Sequence, residues 1–393
     1  MADLILKPGR ERSLLRRHPW VFSGAVARLE GDPGSGACVA VRATHGEFLA
    51  WGAYSPASQI VARVWSWHED VRPGPALLRH LLQRAIAMRR EQLSDVQGVR
   101  LVNGEADGLP GLVIDRYAGT LVLQASSAGA ARWRECIADL LVELTGLPDV
   151  FERSDADVLT LEGLAQRVGV LRGAAPPEPL TIEENGLQLG LSVQHGHKTG
   201  YYLDQRDNRA LVRGLARGRE TLDCFCYVGG FSLNALRGGA VQVTAVDASA
   251  GALTAARENV LRNGFEGARI EWIEADVFHY LRELRNAGRR FGLIVLDPPK
   301  FAPTASSAAR AARGYKDINL LALKLLAPGG VLATFSCSGG VSRELFHKIV
   351  AAAAVDAGVE VQILRWLSAA PDHPVALSFP EGEYLKGLLC RIP

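Results

Sequence analysis

The stretch Thr221-Leu-Asp-Cys-Phe-Cys-Tyr-Val-Gly-Gly-Phe231 decides the architecture. It reads as a short apolar strand, an aspartate near the strand end, and a turn whose paired glycines open a helix. Glycines at such a turn let the backbone approach a ligand closely. Working outward, residues 221–224, 242–246, 269–274, 293–296, 330–335, 360–366 and 385–391 read as strands, with helical segments between most of them. This alternation predicts an α/β fold with a mainly parallel, doubly wound sheet.

Asp223, Asp247, Asp276 and Asp297 fall at the ends of four successive predicted strands. Ligands in open α/β sheets bind beyond the carboxyl ends of the strands. Asp247 follows Asp223 by 24 residues, near the ~20-residue offset of a carboxylate that holds ribose hydroxyls. Asp276 would then lie near an adenine edge. Phe225, Tyr227 and Gly229 belong to the turn that would wrap the ligand. The turn is not GxGxxG, and no lysine-bearing phosphate loop is present. The pattern favours a ligand with adenosine and ribose but no pyrophosphate, S-adenosylmethionine. A tight helix-entry turn is the plainer reading of the glycines alone, and the phased aspartates weigh against it.

Two segments carry reactive chemistry. Asp297-Pro-Pro-Lys300-Phe301 follows the apolar run Leu293-Ile-Val-Leu, and its prolines stiffen a loop that can hold a planar base. Phe335-Ser-Cys337-Ser-Gly-Gly follows the next strand, which places Cys337 best of the six cysteines for chemistry. A lone cysteine usually packs as a small hydrophobe; beside such a loop it reads as a nucleophile. Carbon-5 of a pyrimidine becomes enamine-like once a thiolate adds to carbon-6, and covalent catalysis of this kind splits one hard step into easier ones. Asp297 would hydrogen-bond the ring nitrogen or exocyclic amine. Methylating a nitrogen needs no such cysteine.

The remaining candidates are weaker. Cys224 and Cys226 alternate at a strand end without further ligands in metal spacing, so no metal is expected. Cys38, Cys136 and Cys390 read as packing. His195 and His197 lie in the polar run from Gln194 through Gln205 to Arg206, which suggests a flap over the cofactor with Gln205 in contact. Glu381, in Pro380-Glu-Gly-Glu-Tyr384, is a candidate general base, as is the Asp372-His373 pair, and a capped turn fits equally well.

The rest of the chain sets the context. The 393 residues suggest two or three domains. Boundaries are read at 1–75, 76–177 and 178–393. The first segment holds short strands, among them Val39-Ala-Val-Arg, Phe48-Leu-Ala-Trp-Gly-Ala-Tyr and Ile60-Val-Ala-Arg-Val-Trp, and suggests a small β-barrel. Lys7, Arg10, Arg12, Arg16 and Arg17, followed by His18-Pro19-Trp20, form a basic start suited to phosphates. The second mixes helices (76–93, 133–144) with a strand–turn–strand around Asp115-Arg-Tyr-Ala-Gly. After a proline-rich linker at 174–179, a hairpin turns at Asn185-Gly186. Hydrophobic residues make up 48%, charged residues 22%, and the net charge is +2, which excludes full-length disorder. No apolar run approaches the ~18–20 residues needed for a membrane span. The start lacks the pattern of a secretory leader. Six cysteines without zinc or disulfide spacing fit a reducing, cytoplasmic setting.

At this point the residues match a family. The chain resembles the bacterial 23S rRNA (cytosine-C5) methyltransferases of the large-subunit methyltransferase I family. The resemblance rests on His18-Pro-Trp-Val-Phe-Ser-Gly, Glu105-Ala-Asp-Gly-Leu-Pro-Gly-Leu, Gln194-His-Gly-His-Lys-Thr-Gly-Tyr-Tyr-Leu-Asp-Gln-Arg, Asp297-Pro-Pro-Lys-Phe, Arg313-Gly-Tyr-Lys-Asp-Ile-Asn, Phe335-Ser-Cys-Ser-Gly and Pro380-Glu-Gly-Glu-Tyr-Leu-Lys-Gly. It implies an N-terminal PUA domain, a central α/β domain and a C-terminal class I methyltransferase domain. The seventh strand of that last fold is antiparallel and inserted beside the fifth. It further implies S-adenosylmethionine as cofactor, 23S rRNA as partner and Cys337 as the nucleophile. Related enzymes often carry a second cysteine after Asp-Pro-Pro. Lys300 stands there instead, which implies a one-cysteine mechanism and leaves Lys300 for RNA. Cys226 and Val228 replace an expected Ser and Thr, and Asn185 an expected His. Competing readings are a guanine-nitrogen rRNA methyltransferase, which the Cys337 context disfavours, and a non-catalytic assembly factor, which the intact acidic set disfavours. An exposed edge strand would suit a homodimer.

Overall fold

Buried parallel strands need apolar residues on both faces, and the runs Leu-Ile-Val-Leu and Val-Leu-Ala-Thr-Phe meet that need. The computed structural model describes all residues except 1, 94–95, 156–157 and 302–307. The chain divides into two compact units. The first comprises Met1–Ile182, Leu191–Leu203 and Pro371–Gly382; the second comprises Glu183–Gly190, Asp204–Ala370 and Glu383–Pro393.

The first unit contains two sheets. Strands β1 (Ala2–Leu6), β2 (Trp20–Phe22), β3 (Val26–Glu30), β4 (Cys38–Arg42), β5 (Phe48–Tyr54) and β6 (Ile60–Ser66) form one, in the order β2-β6-β5-β4-β1-β3. All pairs are antiparallel except β1–β4. Leu4, Leu6, Val21, Val39, Val41, Ala50 and Val64 fill its core. Helix α1 (Arg12–Leu15) supplies Leu14 to it. The sequence reading recovered β4, β5 and β6. It missed β1, β2 and β3: β2 has only three residues, and β1 and β3 carry polar residues among the apolar ones.

The second sheet runs β11-β10-β9-β8-β7, built from β7 (Gly98–Asn103), β8 (Leu112–Tyr117), β9 (Thr120–Ala125), β10 (Asp149–Ser154) and β11 (Arg167–Arg172). Helices α2 (Pro75–Gln92) and α3 (Ala128–Thr145) share its core. Pro75 opens α2, where its missing N–H costs nothing. Leu78, Leu81, Leu82, Ala85, Ile86 and Arg89 make the buried stripe of α2. Arg89 is therefore a core residue, and Asp107 binds it through both oxygens at 2.6 and 2.8 Å. Asp115 binds Arg100 in the same way at 2.8 and 2.9 Å. Glu162, in α4 (Val158–Glu162), pairs with Arg63 at 2.8 and 2.9 Å. Each of these three carboxylates thus has a guanidinium in the fork geometry that best satisfies it. Asp372 adds to this lattice, accepting from the Arg100 amide at 2.9 Å while its carbonyl accepts from Arg89 at 3.0 Å.

Strands β12 (Leu180–Glu184) and β13 (Leu187–Leu191) form the expected hairpin. Its turn residues Asn185 and Gly186 have φ of 53° and 69°, the left-handed pair that a type I′ turn requires.

The second unit is built on a seven-stranded sheet, β16-β15-β14-β17-β18-β20-β19. Its members are β14 (Glu220–Cys224), β15 (Gln242–Asp247), β16 (Ile270–Glu274), β17 (Phe291–Leu296), β18 (Leu326–Ser336), β19 (Gln362–Ser368) and β20 (Lys386–Arg391). The first five pair in parallel. β20 is antiparallel and lies between β18 and β19, the order that the resemblance implied. Helices α5 (Arg206–Leu215), α6 (Gly230–Arg237), α7 (Ala250–Arg262), α8 (Val277–Asn286), α9 (Ala308–Leu325) and α10 (Arg343–Ala357) complete the α/β alternation. Two buried clusters share the sheet residues: Leu222, Ile294, Leu296 and Leu332 join one, and Val243, Leu293, Val295 and Ala333 the other. Gly387 lets β20 fit, because a Cβ there would stand 2.5 Å from the Phe335 ring. Among the described residues, no helix is long and apolar enough to cross a membrane.

Candidate active site

The site is assembled at the carboxyl ends of β14, β15, β17 and β18, where a doubly wound sheet opens its ligand crevice. β14 ends in the turn that leads to α6. Phe225, Tyr227 and Gly229 there all have positive φ, 64°, 51° and 83°. Left-handed backbone costs a non-glycine residue roughly 1–2 kcal/mol, and such strain is concentrated at functional sites. Gly229 is required for a second reason. A Cβ there would lie 3.2 Å from Ala256 and 3.3 Å from Trp272.

Asp223 is almost fully buried on β14. Its Oδ2 accepts the Ser232 hydroxyl at 2.6 Å, and its Oδ1 has no partner. Burial pushes its pKa up to about 7; the Ser232 hydrogen bond acts against that, and negative charge on Asp297 and Asp247 adds to it. An orphaned buried carboxylate oxygen calls for a donor, and a cationic one answers the charge as well. Asp247, half-buried at the end of β15, accepts the Tyr227 amide and the Ser249 amide, each at 2.9 Å. Each oxygen keeps a lone pair for a hydroxyl. These donors and acceptors fit S-adenosylmethionine, which carries an ammonium and a ribose diol. Asp276 is exposed and caps α8, accepting the His279 amide at 2.9 Å.

Asp297 follows β17, half-buried. Gln205 is buried and donates to its Oδ1 at 2.9 Å, while Asn208 donates to the Gln205 side-chain Oε1 at 2.6 Å. The sequence pointed to Gln205 for the cofactor; the structure adds that Gln205 orients Asp297. Asn208 was missed, although its spacing of three from Gln205 at a helix start is a usable signal. Cys337 follows β18 and is half-buried. Its thiol donates to the Pro298 carbonyl at 3.7 Å, so the Ser-Cys-Ser and Asp-Pro-Pro segments touch although 39 residues separate the two atoms' residues. Phe301 packs on Tyr315 at 4.7 Å between ring centres, and the Tyr315 hydroxyl meets Ser338 at 2.9 Å.

The other cysteines of this unit are buried. Burial pushes Cys224 and Cys226 well up, and Cys390 up to about 12, so these thiols stay protonated. Lys300 is exposed beyond the two prolines.

In the first unit, Lys7, Arg10, Arg12, Arg16 and Arg17 are all exposed. Lys7 reaches the Gly24 carbonyl at 3.0 Å, and Arg17 lies over Trp67 at 5.0 Å. Glu381 meets the His18 imidazole at 3.3 Å, next to Trp20 and Phe379. The middle of the predicted flap is anchored in this unit: Thr199 donates to Asp115 at 2.5 Å and meets the Tyr117 hydroxyl at 2.9 Å. His197 meets the Tyr202 hydroxyl at 3.1 Å.

Comparison with known proteins agrees with this geometry. Residues 167–374 match the family model of S-adenosylmethionine-dependent methyltransferases, and residues 4–67 match a PUA-like domain. The chain is 49% identical over 389 residues to the ribosomal RNA large subunit methyltransferase I of Shewanella amazonensis, covering 98% of both chains. It is 48% identical over 391 residues to that of Yersinia pseudotuberculosis, covering 99% of both. Among solved structures, it shares its fold with a putative SAM-dependent methyltransferase from Streptococcus mutans (TM-score 0.85, 20% identity). It also shares it with a putative methyltransferase complexed with SAH (TM-score 0.86, 21% identity), each likeness covering 100% of both chains. The chain belongs to the ribosomal RNA large subunit methyltransferase I family, and S-adenosylmethionine is its cofactor.

Proposed function

We propose that this enzyme methylates carbon-5 of a cytosine in large-subunit ribosomal RNA through a covalent adduct on Cys337. The observation that carries the reading is the contact between the Cys337 thiol and the Pro298 carbonyl. It sets a half-buried sulfur against the loop whose Asp297 can grip a base edge.

S-adenosylmethionine supplies an electrophilic methyl group on a sulfonium. Asp223 would hold its ammonium and Asp247 its ribose hydroxyls. A target base must leave its stack to reach such a crevice. The Cys337 thiolate would add to carbon-6, and carbon-5, made nucleophilic, would take the methyl group as the sulfonium–methyl bond breaks and leaves a neutral thioether. Loss of the carbon-5 proton to a base lets the carbon–sulfur bond break, which restores the aromatic ring and the thiolate. Asp297, oriented by Gln205, accepts from the exocyclic amine and holds the ring edge in place for the attack. The basic residues Lys7, Arg10, Arg12, Arg16 and Arg17 would dock RNA by shape and phosphate contacts, with Lys300 as a further phosphate contact. The reaction belongs in the cytoplasm, where ribosomal RNA is assembled into subunits.

The test is nucleoside mass analysis of 23S rRNA fragments incubated with S-adenosylmethionine and either wild type or Cys337→Ala. We expect 5-methylcytidine from the wild type and a loss of at least about 1,000-fold in the variant. A methylated ring nitrogen, or an active Cys337→Ala, would make Cys337 a packing residue and the enzyme a nitrogen methyltransferase.

A further inference from the structure

Lys386 is the one buried ammonium on this sheet that the mechanism above leaves unused, among the described residues. It opens β20 and is only 2% exposed. Its register partner on β18 is Ser336, the residue before Cys337. Its Nζ donates to the Ser338 carbonyl at 2.8 Å and to the Val341 carbonyl at 2.6 Å. The ammonium therefore fastens both ends of the turn that begins at the nucleophile. Two backbone carbonyls satisfy hydrogen bonds but not charge. A buried cation without a carboxylate bonded to it is costly, and a structural role would be served as well by a neutral donor.

We propose that Lys386 is a positioning residue that fixes the Cys337 turn and favours ionisation of the thiol by placing a buried positive charge beside it. The inference rests on the reading of Cys337 as the nucleophile. The charged groups around Lys386 are Cys337, Glu383, Arg343 and Lys300. Burial pulls the Lys386 pKa down to about 8; ionised Cys337 and Glu383 hold it up, and Arg343 and Lys300 push it down. Attraction between two charges is mutual, so a thiolate that favours the ammonium is favoured by it. At neutral pH the ammonium is still protonated, and its help is lost as pH rises through about 8.

The test reads thiolate character without RNA or methyl transfer. Wild type, Lys386→Gln and Lys386→Arg are alkylated with iodoacetamide across pH 6 to 10, and each cysteine peptide is quantified by mass spectrometry. Lys386→Gln keeps hydrogen-bond donors for the two carbonyls but removes the charge, whereas Lys386→Arg keeps the charge. We expect Cys337 of the wild type to react at pH 7 at least about tenfold faster than Cys38 and Cys136, the other half-buried thiols, whose pKa burial raises. We expect Lys386→Gln to lose about tenfold of that rate and to regain it at higher pH, with methyl transfer following the same profile, and Lys386→Arg to remain close to wild type. The proposal is overturned if wild-type Cys337 reacts no faster than Cys38 and Cys136, a measurement that needs no variant to fold. It is equally overturned if the Lys386→Gln profile superimposes on the wild type. Failure of the carbon-5 reading would show separately, in the methylated nucleoside.

Discussion

Three buried carboxylates of the first unit and Asp223 of the second are met in opposite ways. In the first, Asp107, Asp115 and Glu162 each face an arginine through two hydrogen bonds. In the second, Glu184 is paired in the same way with Arg209, but Asp223 is not. Its charged neighbours are Asp297 and Asp247, both acidic, and one of its oxygens has no partner. A carboxylate with its own guanidinium is finished and serves the fold. A carboxylate buried without one stores an unmet demand that a ligand can fill.

The comparison breaks most easily at its structural end. Asp107→Ala leaves the Arg89 guanidinium buried without its counter-charge, and such truncations cost about 3–5 kcal/mol. The expected result is a large fall in the melting transition of the first unit, followed by circular dichroism. A change within about 1 kcal/mol would show that the buried pair is dispensable and that the contrast with Asp223 is empty.

At the functional end, Asp223→Asn is expected to leave the free protein at least as stable as wild type at pH 7. It should weaken S-adenosylmethionine binding by roughly 10–100-fold in calorimetry, the value of a hydrogen bond to a charged group. The same variant sharpens the point through pH. A carboxyl whose pKa is raised on folding contributes stability below its unfolded pKa and loses it as pH rises through the folded value of about 7. Wild-type stability should therefore fall by about 2 kcal/mol more than that of Asp223→Asn between pH 5 and 7. Equal slopes would mean that Asp223 is not strained by its burial.

The smallest effect belongs to exposed pairs. Lys316 and Asp356 meet at 2.7 Å, but both side chains are more than a third exposed. Lys316→Ala should change stability by less than about 1 kcal/mol, measured by urea titration. A larger loss would mean that proximity, rather than burial, sets the value of an ion pair here.

The inner strands β14, β15, β17 and β18 were legible because they are buried along most of their length, and three of them reach an aspartate at or near their ends. The glycine turn and the Cys337 turn were legible for the same reason, as interruptions of that texture. The contact of Cys337 with Pro298 was not, since it depends on β17 and β18 lying side by side. Lys386 was invisible too. A lysine at the start of a strand ordinarily reaches solvent, and only the insertion of β20 between two strands buries it. The bond between Gln205 and Asp297 was not legible either, since 92 residues separate them. In the first unit, β1 and β3 escaped notice because Asp3, Arg28 and Glu30 interrupt their apolar pattern. Arg89 on the buried stripe of α2 carried no signal in the sequence, because its partners Asp107 and Asp372 lie 18 and 283 residues away.

The segment Pro371–Gly382 belongs to the first unit although strands of the second flank it. During synthesis this has a kinetic consequence. Arg100 leaves the ribosome 272 residues before Asp372, the acceptor of its amide. The N-terminal part of the chain must wait, incompletely locked, until nearly all the rest has been translated. Shortened products that stop before that segment would have an unfinished core, which makes them candidates for early proteolysis.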